Sequence, residues 1–394
     1  MKNGFKLLMG LLMLPLLMSG CSSNSNGSGE SGSNNSKPEI SEDGSLKFVG
    51  SSVSAANTSI SGDIVIPESF NGQSITTIPK DAFKNCNRIK SIVVPDTVTS
   101  IAVGAFAGCI QLESITIPFC GTAPDRESYG GHCARIFGKD EYVGSTEVKS
   151  YHADYDNYYE IYYVPSSLRK VTVTNATTLV YGAFHNMSML TEINLNDDII
   201  AIGTKCFAGC KQITTVNLPN IFTIPKQCFS GCTKLNNFVI GEKVTKIEEK
   251  AFESCMNLLK INSETDGEFI IPENVTGFGV GAFKNCLRVS SITLPFIGTA
   301  DSNTSYGGHF SRIFGQDEYT GSTKVKSYHG DYDNYFEIYY VPSGLRSVTI
   351  TNSTHVVYGA FQNVSMITSL RINKEAQSSV GPKAFDNCVQ PVWF

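Results

Sequence analysis

His152, Asp154, Asp156 and Glu160 lie within one short polar stretch, and His329, Asp331, Asp333 and Glu337 repeat the same spacing later in the chain. Another histidine precedes each group, His132 and His309. Alternating aspartates can offer oxygen ligands to calcium, and histidine with carboxylates can hold zinc, so Asp154, Asp156, Asp331 and Asp333 are the candidate metal ligands. A metal-dependent hydrolase would carry its chemistry here. The spacing does not match an EF-hand loop, which needs a glycine turn and a distant bidentate glutamate. A solvated acidic loop uses the same residues without any metal, and no cofactor is expected. The sequence holds no HExxH, GxSxG or Walker pattern, and nothing in the spacing of Ser, His and Asp nominates a nucleophile.

The 12 cysteines also invite a metal or redox reading. Seven of them (Cys86, Cys109, Cys210, Cys232, Cys255, Cys286 and Cys388) fall three residues after a recurring Phe. Met187 and Val364 occupy that slot elsewhere, so it asks for a small to medium apolar filler. Cys206 and Cys228 stand where the other units have Ala. A core ladder is the expected outcome, not zinc. Cys120 and Cys133 differ, because their later counterparts are Ile297 and Phe310. Both positions are expected to be buried, and a disulfide between them is left open.

The elements that position these side chains come from a repeat. A small residue followed by Phe recurs at Phe83, Phe106, Phe184, Phe207, Phe229, Phe252, Phe283, Phe361 and Phe385, mostly 22 to 24 residues apart. Aliphatic or other apolar residues follow six and nine positions later, as at Leu112 and Ile115, within short β-type runs such as Ser114–Pro118. One such unit cannot bury its apolar residues alone. Stacked units can, each adding a parallel strand about 4.7–4.9 Å from the last. "GFGVGAF" at Gly277–Phe283 then reads as a repeat turn in which glycine supplies unusual backbone angles, not as a phosphate loop. The pattern, with Thr99–Pro118 and Thr245–Ile261 as clear examples, resembles the leucine-rich repeats of BspA-type bacterial surface proteins. That resemblance implies a right-handed, curved repeat solenoid of short parallel strands, turns and short helical segments. It also implies a binding role in place of chemistry.

Two long inserts, 119–164 and 296–341, interrupt the array. The segments that contain them, Pro118–Phe184 and Pro295–Phe361, are identical at 49 of 67 positions, whereas the flanks Pro95–Pro118 and Pro272–Pro295 match at 12 of 24. A block of repeats plus insert was therefore duplicated. All 17 tyrosines lie in the two duplicated segments. Tyrosine gives wide amphipathic contact area at low entropy cost, which suits a binding surface. The candidate contacts are Tyr129, His132, Arg135, Tyr151, His152, Tyr155 and Tyr158 in the first insert. In the second they are Tyr306, His309, Arg312, Tyr328, His329, Tyr332 and Tyr335. The competing reading makes the tyrosines a private core for each insert, and both stay open.

At the start of the chain, Lys2 and Lys6 precede an apolar run, Leu7–Leu17, too short to span a bilayer. It ends in "MSGC", which resembles the lipobox of bacterial lipoproteins and implies cleavage before Cys21 and lipidation of that residue. The expected layout is a signal peptide at 1–20, a Ser/Gly/Asn tether at 21–45 and the solenoid at 46–394. Loss of Lys2 and Lys6 with the leader would take the formal charge from −5 to −7. That leaves no basic face for nucleic acid. The expected protein is lipid-anchored on the outer face of a bacterial membrane and non-enzymatic. It would contact a protein or glycan of a host or neighbouring cell, with a structural envelope role or a metal-dependent hydrolase as the alternatives.

Overall fold

The computed structural model describes residues 37–124, 131–151, 158–218, 220–301, 307–330 and 335–394. Each repeat is a short strand, a tight turn carrying the Phe, and a return. Every one of the nine turns holds two left-handed residues, two before and two after its Phe: Gly182 and Asn186 around Phe184, Lys205 and Gly209 around Phe207. Such backbone favours Gly and Asn, which explains why those types recur there. Consecutive turns bond to each other through the backbone, Phe184 N–H to Cys206 O at 2.8 Å and Phe207 N–H to Cys228 O at 2.9 Å. The rings follow the same spacing, with centroids 5.6 Å apart for Phe184 and Phe207 and 5.2 Å for Phe207 and Phe229, offset-stacked and fully buried.

The cysteine slot is a core ladder, as its period predicts, with six of the seven thiols buried and Cys388 half-buried. It is also more than filler. The thiol of Cys109 donates to Phe83 O, Cys210 to Phe184 O, Cys232 to Phe207 O, Cys255 to Phe229 O and Cys286 to Phe252 O, all at 3.1–3.3 Å. Each thiol therefore ties its own turn to the Phe of the preceding turn. Cys120 and Cys133 are buried, unbridged thiols whose side chains hydrogen-bond to one another.

Parallel pairing joins the repeats. Strands Ser61–Val65, Arg88–Val93, Ser114–Ile117, Lys170–Val173 and Glu192–Leu195 form one sheet in that order. A seven-stranded sheet runs from Asn237–Phe238 to Val392–Trp393. An antiparallel meander, Glu39–Ile40, Leu46–Val49 and Ser52–Ala55, continues in parallel onto Thr77–Ile78. The folded unit therefore begins before residue 46: Glu39 pairs with Phe48, placing residues that composition assigns to the tether inside the sheet. Phe48 stacks on Phe70 at 4.0 Å and supplies the apolar partner that the polar run hides.

Each insert turns out to be built from two parts. The first is a 3-10 turn, Cys133–Phe137 or Phe310–Phe314, that occupies a place in the stack of repeat turns. Phe106 N–H donates to Ile136 O and Cys133 N–H to Ala183 O, so this turn lies between the Phe106 and Phe184 turns. The second copy repeats the bonds, Phe283 N–H to Ile313 O and Phe310 N–H to Ala360 O. The second part is an antiparallel hairpin, Ser145–Tyr151 with Tyr159–Pro165, or Ser322–Tyr328 with Phe336–Pro342. The chain then rejoins the parallel sheet, Lys170–Val173 pairing directly with Ser114–Ile117. Of the three glycines in Gly277–Phe283, only Gly281 is left-handed. Gly279 answers to space instead, because a Cβ there would lie 1.9 Å from Glu249 N.

Candidate binding site

Each hairpin is fixed to the frame by the same half-buried polar unit. Arg135 Nη1 donates to Glu160 Oε2 at 2.7 Å and to Tyr162 Oη at 2.6 Å, and the Tyr162 hydroxyl donates in turn to Glu160. In the second insert Arg312 Nη1 reaches Glu337 Oε2 at 3.0 Å and Tyr339 Oη at 2.9 Å. Burial alone would raise the Glu160 carboxyl. Hydrogen bonds from Lys139 and Tyr162, with the charges of Lys139 and Arg135, outweigh it and hold the group down at about 2. Glu337 is likewise lowered against the pull of burial by Tyr339, Arg312 and His329. Asn186 Nδ2 donates to Lys149 O at 2.9 Å, and Asn363 Nδ2 to Lys326 O at 2.8 Å, tying each hairpin to the following repeat turn.

These contacts reassign part of the candidate list. His132 and His309 have no exposed surface, and the His329 side chain is 2% exposed, so none of the three can be a surface contact. His309 stacks on His329 at 4.8 Å and donates from Nε2 to Tyr358 O at 3.1 Å. Arg135 and Arg312 are held inward by their carboxylate and phenol partners, which makes them positioning residues. Glu160 and Glu337, considered above beside the metal candidates, belong to those same pairs. Among the described residues no group of three or more His, Cys, Asp or Glu side chains is arranged to hold a metal. Tyr129, His152, Tyr155, Tyr306 and Tyr332, with Asp154, Asp156, Asp331 and Asp333, lie outside the described residues.

The tyrosines divide between the two readings. Tyr162 and Tyr339 are fully buried and form the private core. Tyr158 and Tyr335 are 53% and 45% exposed, at the same end of each hairpin. Tyr151 and Tyr328 are half-buried at that end, Tyr151 opposite Tyr159 with rings 5.3 Å apart and Tyr328 opposite Phe336 at 5.5 Å. In the first copy Tyr151 also meets the ring of His185 at 5.0 Å. Between this aromatic wall and the next two repeat turns lies an open cleft of about 280 Å³, lined by Tyr151, His185, Asn186, Lys205, Gln227 and Ser230 among others. His185, Lys205, Gln227 and Ser230 escape sequence reasoning because they belong to repeat turns, not to an insert. Of these only His185 carries a signal in the sequence, as the residue directly after the first duplicated segment.

A parallel-stranded stack of such units with paired hairpins is a leucine-rich repeat solenoid. The chain belongs to the family described as BspA type leucine rich repeat region, which matches residues 56–124, 158–270, 263–306 and 333–391 in six copies. Among solved structures it is similar to a leucine-rich repeat protein from Bacteroides ovatus, at 20% identity over 90% of this chain and 79% of that one, TM-score 0.40. It is also similar to a leucine rich cell surface protein from Faecalibacterium prausnitzii, at 22% identity over 91% and 77%, TM-score 0.34. The pneumococcal vaccine antigen PcpA is a further similar structure, at 14% identity over 91% and 100%, TM-score 0.30. No curated protein sequence matches the chain.

Proposed function

We propose that this chain is a non-enzymatic surface-binding protein in which the repeat array is the frame and the exposed hairpin ends make the contacts. One observation carries the reading. The same hairpin occurs twice, secured by the same half-buried Arg–Glu–Tyr unit, and each time a large tyrosine, Tyr158 or Tyr335, stands exposed at the start of its second strand. Large exposed aromatics on a rigid support are the residues that dominate binding energy in protein recognition. Two copies on one frame add avidity wherever a partner can engage both. Placement outside a bacterial membrane, through a lipid on Cys21, belongs to the same proposal and rests on the "MSGC" step. The test is attachment of the purified protein to host cells and to immobilised matrix proteins and glycans. Tyr158→Ser with Tyr335→Ser should weaken attachment about tenfold or more. Undiminished attachment by a variant whose hairpins remain resistant to protease rejects the reading.

A further inference from the structure

The cleft beside the first hairpin has a composition that its position alone does not require. One wall is aromatic: Tyr151 and His185 line it with ring centroids 5.0 Å apart and planes tilted by 35°, and Tyr159 backs Tyr151 at 5.3 Å from outside the lining. The opposite side is polar and comes from two later repeat turns. It brings Lys205, whose ammonium also lies over the Tyr181 ring, from the Phe207 turn, and from the Phe229 turn Gln227 and the hydroxyl of Ser230, which lies 3.3 Å from Glu253 Oε2. That bond points the serine proton away from the cleft and leaves the oxygen as an acceptor. Gly209 forms part of the floor, and a Cβ there would come 2.5 Å from Asn186 Oδ1, so glycine lets the two turns approach closely, as Gly108 does beside Asn85. The Asn186 Nδ2 that approaches from the other side is already committed to Lys149 O at 2.9 Å, which holds wall and floor in register.

From this geometry we infer that the cleft is a binding site for a single pyranose residue of a surface glycan. A pyranose has an apolar C–H face and a rim of hydroxyl groups that both donate and accept. The tilted rings offer an apolar surface for the first, and the Gln227 amide and Ser230 oxygen offer donors and acceptors for the second. The volume, about 280 Å³, lies at the low end of small-molecule sites, roughly 300–1,000 Å³. It suits one sugar ring. The second copy is altered at the same place: Gln362 stands for His185, which removes one ring, while Phe336 keeps the ring behind Tyr328. The aromatic wall is thereby shortened, and the first copy is the sugar site. The inference rests on the binding role proposed above and names a ligand class for one of its two hairpins.

Titration of the purified protein with methyl pyranosides of galactose, glucose, mannose and N-acetylglucosamine, read by saturation-transfer NMR, tests it. At least one should bind with a Kd of about 1 mM, as expected for a lone sugar ring. Tyr151→Ala and Gln227→Asn should each raise that Kd about tenfold. His185→Gln, which copies the second insert, should raise it as well, while Tyr335→Ser should leave it unchanged. Protease resistance of the first hairpin shows that the variants are folded. Absence of binding by all four glycosides, or equal Kd values in all variants, overturns the sugar site. Attachment abolished by protease treatment of the target surface but not by periodate names a protein ligand and overturns it too. If attachment still depends on Tyr158 and Tyr335 in those cases, the surface-binding function survives without the sugar. If the glycosides bind as expected while attachment ignores both hairpins, the sugar site survives and the wider function falls.

Discussion

Cys232 shows how one side chain can serve two ends. It is fully buried, so it packs as a small apolar group, and its thiol reaches the Phe207 carbonyl at 3.1 Å. Burial and the neighbouring Cys255 push its pKa well above the usual thiol range, so the group stays neutral and unreactive. Cys232→Val keeps the volume and gives up only the weak S–H bond. It should cost under about 1.5 kcal/mol in a denaturant melt, as Val364 in the same slot of another repeat suggests. Cys232→Asp places a carboxylate in the same space without a counter-charge and should lose most of the cooperative transition. Equal losses for the two would remove the packing account. The slot itself was legible from the period, because Cys, Met and Val interchange there. The hydrogen bond was not, since it runs to a backbone atom of a different repeat, which no side-chain pattern records.

At the scale of the element, the inserts were the hardest part to read. Their boundaries were visible, but the 3-10 turn within each was not. Phe137 lies 31 residues beyond Phe106, lacks the aliphatic pair that follows other repeat rings, and leads into an antiparallel hairpin in place of a parallel strand. That turn anchors each insert in the core: Ile136, Phe137, Ile313 and Phe314 are all fully buried. The second insert also carries an acid sensitivity. Burial first, and the neighbouring His329 next, hold His309 down at about 4 against the opposing pull of the Tyr358 carbonyl, with smaller contributions from Arg312, which lowers it, and Glu337, which raises it. An opened insert would return this imidazole to its ordinary value near 6.5. Between those values the open form takes up a proton that the closed form refuses. Stability is therefore full above 6.5 and falls as pH drops toward 4, by up to roughly 3 kcal/mol. Glu337, lowered in the folded state, acts in the same direction below the usual carboxylate range. Amide exchange across Ser322–Pro342 should quicken through that window. Exchange that follows only the intrinsic pH dependence of the chemistry would show that the buried imidazole stack does not close the hairpin.

For the whole molecule, the array and its duplication were open to sequence reading, because stacking imposes a period that composition cannot hide. The starting point of the fold was not, since Glu39 and Ile40 join a sheet through backbone bonds that any side chain permits. The proposed lipid attachment is a property of the whole chain and predicts where it resides. Cys21→Ala should move the protein from the membrane fraction to the medium or periplasm, and unchanged retention on fractionation would dismiss the anchor. Stability should depend on neighbouring repeats more than on total length, as in other linear arrays.

Because each insert re-enters the stack in phase, Phe106 and Phe283 are equivalent points 177 residues apart. The two copies are thus substrates for unequal recombination, and the fold should tolerate its products. Deleting 107–283 joins one "GAF" step to the continuation of the other, and should yield a shorter chain that melts in one transition and displays a single hairpin. A molten or insoluble product would mean that the two halves are not interchangeable. If it folds, hairpin number in this lineage is a heritable variable set by crossover at the gene, and a population can adjust its avidity without inventing a new contact.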